Sequence, residues 1–274
     1  PILVMGRTRP EDVWLAVEKD ITLTCYQEEW LQEVSELQLD KPVTIHLKWD
    51  TGMGRIGLRT EEELINILPL LKKDTFHLEG VYTHFATADE EDLAYFNQQL
   101  TKFEALQSFF AKHWPHPLVM HTGNSAASMR FPKKMQHFIR YGISMYGLYP
   151  SPIVKKEEPI KLKPALSLFS RLTHVKKVSK GEAISYGSTY YAQDEEWIGT
   201  VPLGYADGMR RALQGMEVLV NGERCEIVGR ICMDQLMVRL TKEAQVGDKV
   251  TIIGTDQHET IEIDDVAAYL DTLN

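Results

Sequence analysis

The 274-residue sequence predicts an α/β domain with a parallel sheet, followed by a mainly-β domain. Three observations carry that reading. Through the first 150 residues, short apolar runs alternate with amphipathic charged stretches, the order of strand and covering helix in a parallel sheet. A segment with four prolines and a charge cluster, YPSPIVKKEEPIKLKP at 149–164, then interrupts the pattern. Beyond it, apolar runs follow one another with turn residues between them.

In the first domain, strands are expected at 2–5, 21–25, 43–49, 78–85, 118–121 and 138–145. Helices are expected at 10–18, 28–37, 60–71 and 92–111, with a short one from Ser125. Thr60 and Glu63 make a capping box, and Leu64, Ile67 and Leu68 supply the apolar stripe behind it. This amounts to six strand–helix units. In the second domain, strands are expected at 166–178, 197–203, 217–220, 226–231, 235–240 and 249–253, with a closing helix in IDDVAAYLDTLN. Asn221-Gly222 has the composition of a type I′ hairpin turn. The division is 1–150 for the α/β domain, 151–165 for a linker and 166–274 for the β-domain.

The net charge of -9 and pI near 5.5 argue against nucleic acid as a partner, which normally requires a basic patch. No apolar run approaches the roughly 20 residues needed to span a bilayer, so no membrane partner is expected. The opening PILVMGRTRP has neither the basic start nor the apolar core of a signal peptide. Cys25, Cys225 and Cys232 are odd in number and without CxxC spacing, which reads as a reduced, cytoplasmic chain with no disulfide framework and no metal site. The run ILVMG looks like a buried strand with nothing before it, so the sequence is expected to be a piece of a longer protein.

DTGMGRIG, at 50–57, contains a literal GxGxxG in Gly52, Gly54 and Gly57. A dinucleotide site also needs a helix start packed on the glycines and an acidic residue at the tip of the next strand. Here the helix cap comes three residues after the last glycine, and the next strand ends in Thr83-His84-Phe85. A turn that merely bends the chain fits the glycines better than a dinucleotide site does. The charged residues beside it are more informative, because a lysine on a buried strand, Lys48, needs a partner or a purpose. Other strand ends are polar too: Thr83-His84, His121 leading into Asn124-Ser125, and Arg140 leading into Gly142-Ile143. Carboxyl ends of parallel strands are where such folds place ligands. Ser125 opens a short helix whose N–H groups and hydroxyl suit a phosphate, and Gly142 would let a second backbone segment approach it.

The motifs HLKWDTGMGRIG, GVYTHFATAD, HTGNSAASMRFP, RYGISMYGLYPSP, SYGSTY, PLGYADGMRR and VGRICMDQLMV, in this order along the whole chain, resemble bacterial alanine racemase. The resemblance implies a (β/α)8 TIM-type barrel holding pyridoxal 5'-phosphate, a C-terminal β-domain, and a homodimer whose active sites are shared between subunits. It implies interconversion of L- and D-alanine by two-base proton transfer on a cofactor Schiff base, supplying D-alanine for peptidoglycan. For cofactor binding it implies Arg140 at the pyridine nitrogen, Ser125 with the backbone of Gly142 and Ile143 at the phosphate, and His84 and Asn124 in the pocket. For the substrate it implies Arg55, Met233 and Asp234, with Lys48 as a carbamylated lysine beside Arg55. Tyr186 would be the catalytic acid/base reaching the partner's site, and Tyr205, Arg211 and Arg230 would line an access corridor.

The sequence also departs from the family. The Schiff-base lysine, in a VVKANAYGHG-like strand, does not occur in these residues, and Lys48 matches a different family position. A chain of these 274 residues alone is therefore expected to be inactive, with about six of the barrel's eight units. A racemase of serine or of broad specificity is the alternative within the enzyme class. Outside it stand a cofactor-carrier protein with a related barrel and a non-catalytic truncated interaction protein.

Overall fold

The computed structural model describes residues 1–157 and 159–274. They form two compact units, Pro1–Lys163 and Pro164–Asn274. In the first, strands β1 (Ile2–Val4), β2 (Ile21–Cys25), β3 (Val43–Lys48), β4 (Phe76–Tyr82) and β5 (Val119–His121) form one sheet in sequential order. Every pairing in it is parallel. Helices α1 (Val13–Glu18), α2 (Glu28–Ser35), α3 (Glu61–Leu71) and α4 (Ala94–His113) connect the strands, and α5 (Ser125–Arg130) and α6 (Pro152–Glu157) follow.

One side of each strand feeds the core. Val43, Ile45 and Leu47 of β3 pack with Leu78 and Val81 of β4 and with Leu31, Val34, Leu64 and Ile67 of the helices. The alternate residues, Thr24, His46, Lys48, Tyr82 and His121, are buried as well, although polar or amphipathic. The pleat that puts apolar side chains against the helices therefore puts a polar row on the other face. The expected capping box starts α3: Thr60 accepts from the Glu63 N–H, and the Glu63 carboxylate accepts from the Thr60 N–H.

The sheet has five strands where the sequence suggests six. The expected strand at 138–145 reduces to a single parallel bridge between Gly123 and Ile139. Gly142 then leaves the extended region, at φ -101 and ψ -107, and a 3-10 helix follows at Ile143–Tyr146. Part of the proline-rich segment is ordered as α6, with Val154 buried.

The second unit contains β6 (Leu168–Arg171), β7 (His174–Val178), β8 (Ala183–Ile184), β9 (Tyr190–Tyr191), β10 (Glu196–Val201), β11 (Glu217–Val220), β12 (Glu223–Val228), β13 (Leu236–Leu240), β14 (Lys249–Asp256), β15 (Glu259–Ile261) and α7 (Ile263–Tyr269). Strand order is β15-β14-β11-β12-β13-β10-β7, and β6 pairs with β14. The expected strand at 166–178 is thus two. At Leu172–Thr173 the chain changes partner, from Asp248 O to Thr200 O. The β6–β7 segment pairs with β14 through β6 and with β10 through β7, around a core holding Leu172, Val201, Val218, Leu236 and Val250. Asn221 and Gly222 both have positive φ, at 52 and 76, and link paired Val220 and Glu223 as a two-residue hairpin. The β8–β9 hairpin and β15 were not anticipated, being too short to show alternation. Among the described residues, no helix is long and apolar enough to cross a membrane.

Candidate active site

The turn after β3 is built around the backbone of Lys48. Asp50 N–H donates to Leu58 O at 2.8 Å, and Leu58 N–H donates to Lys48 O at 3.1 Å. Gly57 has φ +125, and a Cβ there would lie 2.9 Å from Lys48 O. Only glycine closes this loop without displacing Lys48. The Asp50 carboxylate is occupied locally, accepting from Gly52 and Gly54 N–H at 3.0 Å.

Lys48 itself is 3% exposed, with Nζ 4.6 Å from the centroid of the Tyr82 ring. Its pKa is pushed down to about 8, first by burial, then by Arg140 and Arg55, with Asp50 opposing. The glycine turn thus carries exposed Arg55 into electrostatic range of a buried amine.

Arg140 follows the Gly123–Ile139 bridge, where its N–H donates to Gly123 O at 2.9 Å. The guanidinium contacts His121 Nδ1 at 2.7 Å through NH1, and donates from NH2 to Thr83 O at 2.7 Å and Thr122 O at 3.2 Å. Its Nε is buried without a hydrogen-bond partner. Burial lowers its pKa to about 10, so it stays a cation at neutral pH. His84 is lowered to about 4 by burial, then by Arg140, Lys48 and Arg55, and is a neutral imidazole.

Beside this cluster, Asn124 caps α5 by accepting from Ala127 N–H at 2.9 Å and ties it to Phe85 O at 3.1 Å. Ser125 Oγ accepts from Gly142 N–H at 3.1 Å and from Ser144 N–H at 3.5 Å. Ile143 lies between those donors, opening the 3-10 helix. Lys48 thus ends β3, and His84, Asn124, Ser125, Arg140, Gly142 and Ile143 follow the ends of β4 and β5 or the bridge beyond them.

Within the second unit, Tyr186 is 72% exposed on the loop between β8 and β9. The residue before it, Ser185, has φ 68, a strained value for a side-chain-bearing residue. Its hydroxyl donates to Arg230 O at 2.6 Å. A Cβ on Gly187 would lie 3.0 Å from the Arg230 guanidinium, so this arginine packs directly against the tyrosine loop. Tyr205 N–H donates to Cys232 O at 3.0 Å and Ala206 N–H to Met233 O at 2.9 Å, which docks Tyr205 beside Met233. Asp234 is exposed next to Met233, and exposed Arg211 stands in a 3-10 turn anchored by Leu213.

In chemical terms, the first unit gathers three basic side chains, a neutral histidine and a hydroxyl flanked by backbone N–H groups. Arg140 Nε is a buried donor lacking an acceptor, and a guanidinium can only donate. That donor set fits an anionic ligand carrying an unprotonated ring nitrogen, which describes pyridoxal phosphate. Sequence reasoning overlooked Tyr82, whose ring lies under both Lys48 and Arg140. It also overlooked Thr24, which hydrogen-bonds the Tyr82 hydroxyl at 2.8 Å. Both occupy alternate positions of otherwise apolar strands, and that polar alternation is the signal that marks them.

Residues 1–150 match the family profile for the N-terminal domain of alanine racemase, and residues 165–274 match that for its C-terminal domain. The chain is 52% identical over 276 residues to an alanine racemase of Geobacillus stearothermophilus, covering 100% of this chain and 70% of the relative. It is 50% identical over 274 residues to one of Listeria monocytogenes, covering 100% and 73%. The crystal structure of alanine racemase from Bacillus anthracis with bound L-Ala-P superimposes with a TM-score of 0.92 at 46% identity, over 100% of this chain and 71% of that one. The donor set assembled above is therefore found in a chain that belongs to the alanine racemase family, pyridoxal phosphate-dependent isomerases that interconvert L- and D-alanine.

Proposed function

We propose that this chain supplies the cofactor floor and one acid–base face of the alanine racemase reaction. The observation that carries the assignment is the orphaned Nε of Arg140, buried within a group of cations at the strand ends. Arg140 would hold the pyridine nitrogen, and Ser125 with the backbone of Gly142 and Ile143 would hold the phosphate. His84 and Asn124 would complete the pocket wall. When bound, pyridoxal phosphate supplies the electron sink that acidifies the substrate's Cα–H. Because Arg140 keeps its proton, it would donate a hydrogen bond to the ring nitrogen without protonating it, which would weaken the sink and disfavour side reactions such as transamination.

Arg55 would orient the alanine carboxylate, and Met233 and Asp234 would contact the substrate. Carbamylation would convert Lys48 from a like-charged neighbour of Arg55 into its counterion. Its lowered pKa supports this, because the neutral amine is the reactive form. Tyr186 would move the proton on one face of Cα. A phenol needs cationic neighbours to act as a base. Its 72% exposure supports a role in a site completed by another subunit, with Tyr205, Arg211 and Arg230 lining the access corridor of a homodimer. The three free cysteines support a cytoplasmic setting, where the product would serve peptidoglycan synthesis.

The test compares Tyr186→Phe with Arg140→Leu in the whole racemase. Tyr186→Phe is expected to lower alanine turnover by about 10²–10⁴-fold while keeping cofactor absorbance. Arg140→Leu is expected to lose the cofactor. Normal turnover in Tyr186→Phe, or normal cofactor affinity in Arg140→Leu, would overturn the assignment.

A further inference from the structure

The polar face of the parallel sheet carries a line of side chains that the assignments above do not use. Glu79 Oε2 lies 2.9 Å from His46 Nε2. His46 Nδ1 lies 2.8 Å from His121 Nε2, and His121 Nδ1 lies 2.7 Å from Arg140 NH1. Both histidines are buried, His46 at 3% and His121 at 0% exposure, whereas the Glu79 side chain is 44% exposed. The line therefore runs through the protein, from a carboxylate near solvent to the buried guanidinium.

Local structure makes room for it. The β3–β4 register shifts after Ile45, which pairs with Leu78, so that His46 pairs with Gly80. Glu79 is the extra residue of that bulge. A Cβ on Gly80 would lie 2.8 Å from the His46 ring, so glycine is what admits the imidazole. Tyr82 stacks on His121 at 4.7 Å between centroids, and Phe138 at 4.1 Å.

The direction of every bond follows from one fact. A guanidinium has only donors, so His121 Nδ1 must accept from Arg140. The proton of neutral His121 is then on Nε2 and is donated to His46 Nδ1. His46 in turn carries its proton on Nε2 and donates it to the Glu79 carboxylate. Protonating either ring would put two donors face to face. In agreement, burial and then Arg140 lower the His121 pKa to about 2, while burial lowers that of His46 against the opposing pull of Glu79. The charged and titratable groups bearing on His121 are Arg140, His46, Lys48 and His137.

We propose that Glu79, His46 and His121 are positioning residues, a one-way hydrogen-bond relay that holds the Arg140 guanidinium so that its Nε–H stays free to face a ligand's ring nitrogen. The identity of that ligand rests on the function proposed above, but the relay does not. With NH1 given to His121 and NH2 to Thr83 and Thr122, the guanidinium is anchored at every nitrogen but Nε. A hydrogen-bond network that ties down both terminal nitrogens restricts the guanidinium to one orientation.

Nitrogen-15 NMR of the histidine rings tests the relay directly, with assignments from His46→Gln and His121→Gln. At neutral pH both rings are expected as Nε2–H tautomers. An Nδ1–H tautomer or an imidazolium at either position would overturn the proposal. A second measurement compares two variants for pyridoxal phosphate affinity by equilibrium dialysis. In His121→Gln the amide oxygen accepts from Arg140 and the amide N–H donates to His46, so the relay's polarity is kept. His121→Leu leaves a charged donor unpaired and is expected to weaken affinity about tenfold or more, with His121→Gln within a few-fold of wild type. Equal losses in the two variants would reduce His121 to a packing residue and overturn the proposal. A wild-type protein that does not bind pyridoxal phosphate would instead overturn the site assignment, and the tautomers would still decide the relay.

Discussion

Lys48 offers a quantitative test of the site's electrostatics through its capacity to form a carbamate. Held at about 8 rather than the ordinary 10.5, its amine is neutral in about one molecule in ten at pH 7, against about one in three thousand for an exposed lysine. The ammonium first loses one proton, and the neutral amine then adds carbon dioxide and releases a second to give the carbamate anion, so Lys48 is favoured by about 300-fold over a surface lysine. The stability consequence has a definite sign. The folded pKa is depressed, so the unmodified protein carries a penalty of about 3 kcal/mol below pH 8, which fades as pH rises from about 8 towards 10.5. A carbamate replaces that penalty with attraction to Arg140 and Arg55. Carbon-13 NMR with labelled bicarbonate at pH about 8 is expected to show a carbamate that Lys48→Arg abolishes. Urea unfolding is expected to show bicarbonate stabilising the wild type and not Lys48→Arg. No carbamate at saturating bicarbonate, or equal stabilisation of both proteins, would refute the reasoning.

Three other outcomes follow from the same geometry. His84 and His121, held at about 4 and about 2, must be protonated on unfolding in acid, so stability is expected to fall below pH 6.5. The slope is expected to be about 2.5 kcal/mol per pH unit near pH 5, and a pH-independent denaturation midpoint between pH 7 and pH 4.5 would contradict it. Gly57→Ala is expected to destabilise by about 2 kcal/mol or more and to shift the Lys48 carbamate signal, because its Cβ would meet Lys48 O at 2.9 Å; an unchanged melting temperature would count against it. Ser125→Ala removes an oxygen that accepts from two backbone N–H groups and is expected to weaken phosphate-dependent cofactor binding about tenfold, checked by comparing pyridoxal phosphate with pyridoxal; equal effects on both would refute the phosphate role.

Much of the fold was legible because each signal was local. Alternating apolar runs and helical stripes announced β1–β5 with α1–α4, Thr60 and Glu63 announced a helix start, and Asn221-Gly222 announced a hairpin. The strand expected at 138–145 failed because its apolar residues serve a bridge and a 3-10 helix around Gly142, with no continuous ladder partner. The strand at 166–178 failed because a partner switch at Leu172 leaves no trace in hydrophobicity. The candidate site was legible where charge stood out against an apolar strand, as at Lys48, and was missed where ordinary strand residues, Thr24, His46 and Tyr82, face inward.

By itself the sequence determined the order of elements, the motifs that match the family, and the residue types gathered at the strand ends. Tertiary structure alone decided what those residues do to one another. The GxGxxG match illustrates the difference: its glycines look like a nucleotide loop in one dimension, and in three Gly57 leaves room for Lys48 O while the turn brings Arg55 towards a buried amine. Likewise His46, Glu79, His121 and Arg140 span 94 positions of sequence yet meet within hydrogen-bond distance. Sequence patterns encode secondary structure through neighbours a few residues apart, whereas pKa values and tautomers depend on charges and donors brought together only when parallel strands align.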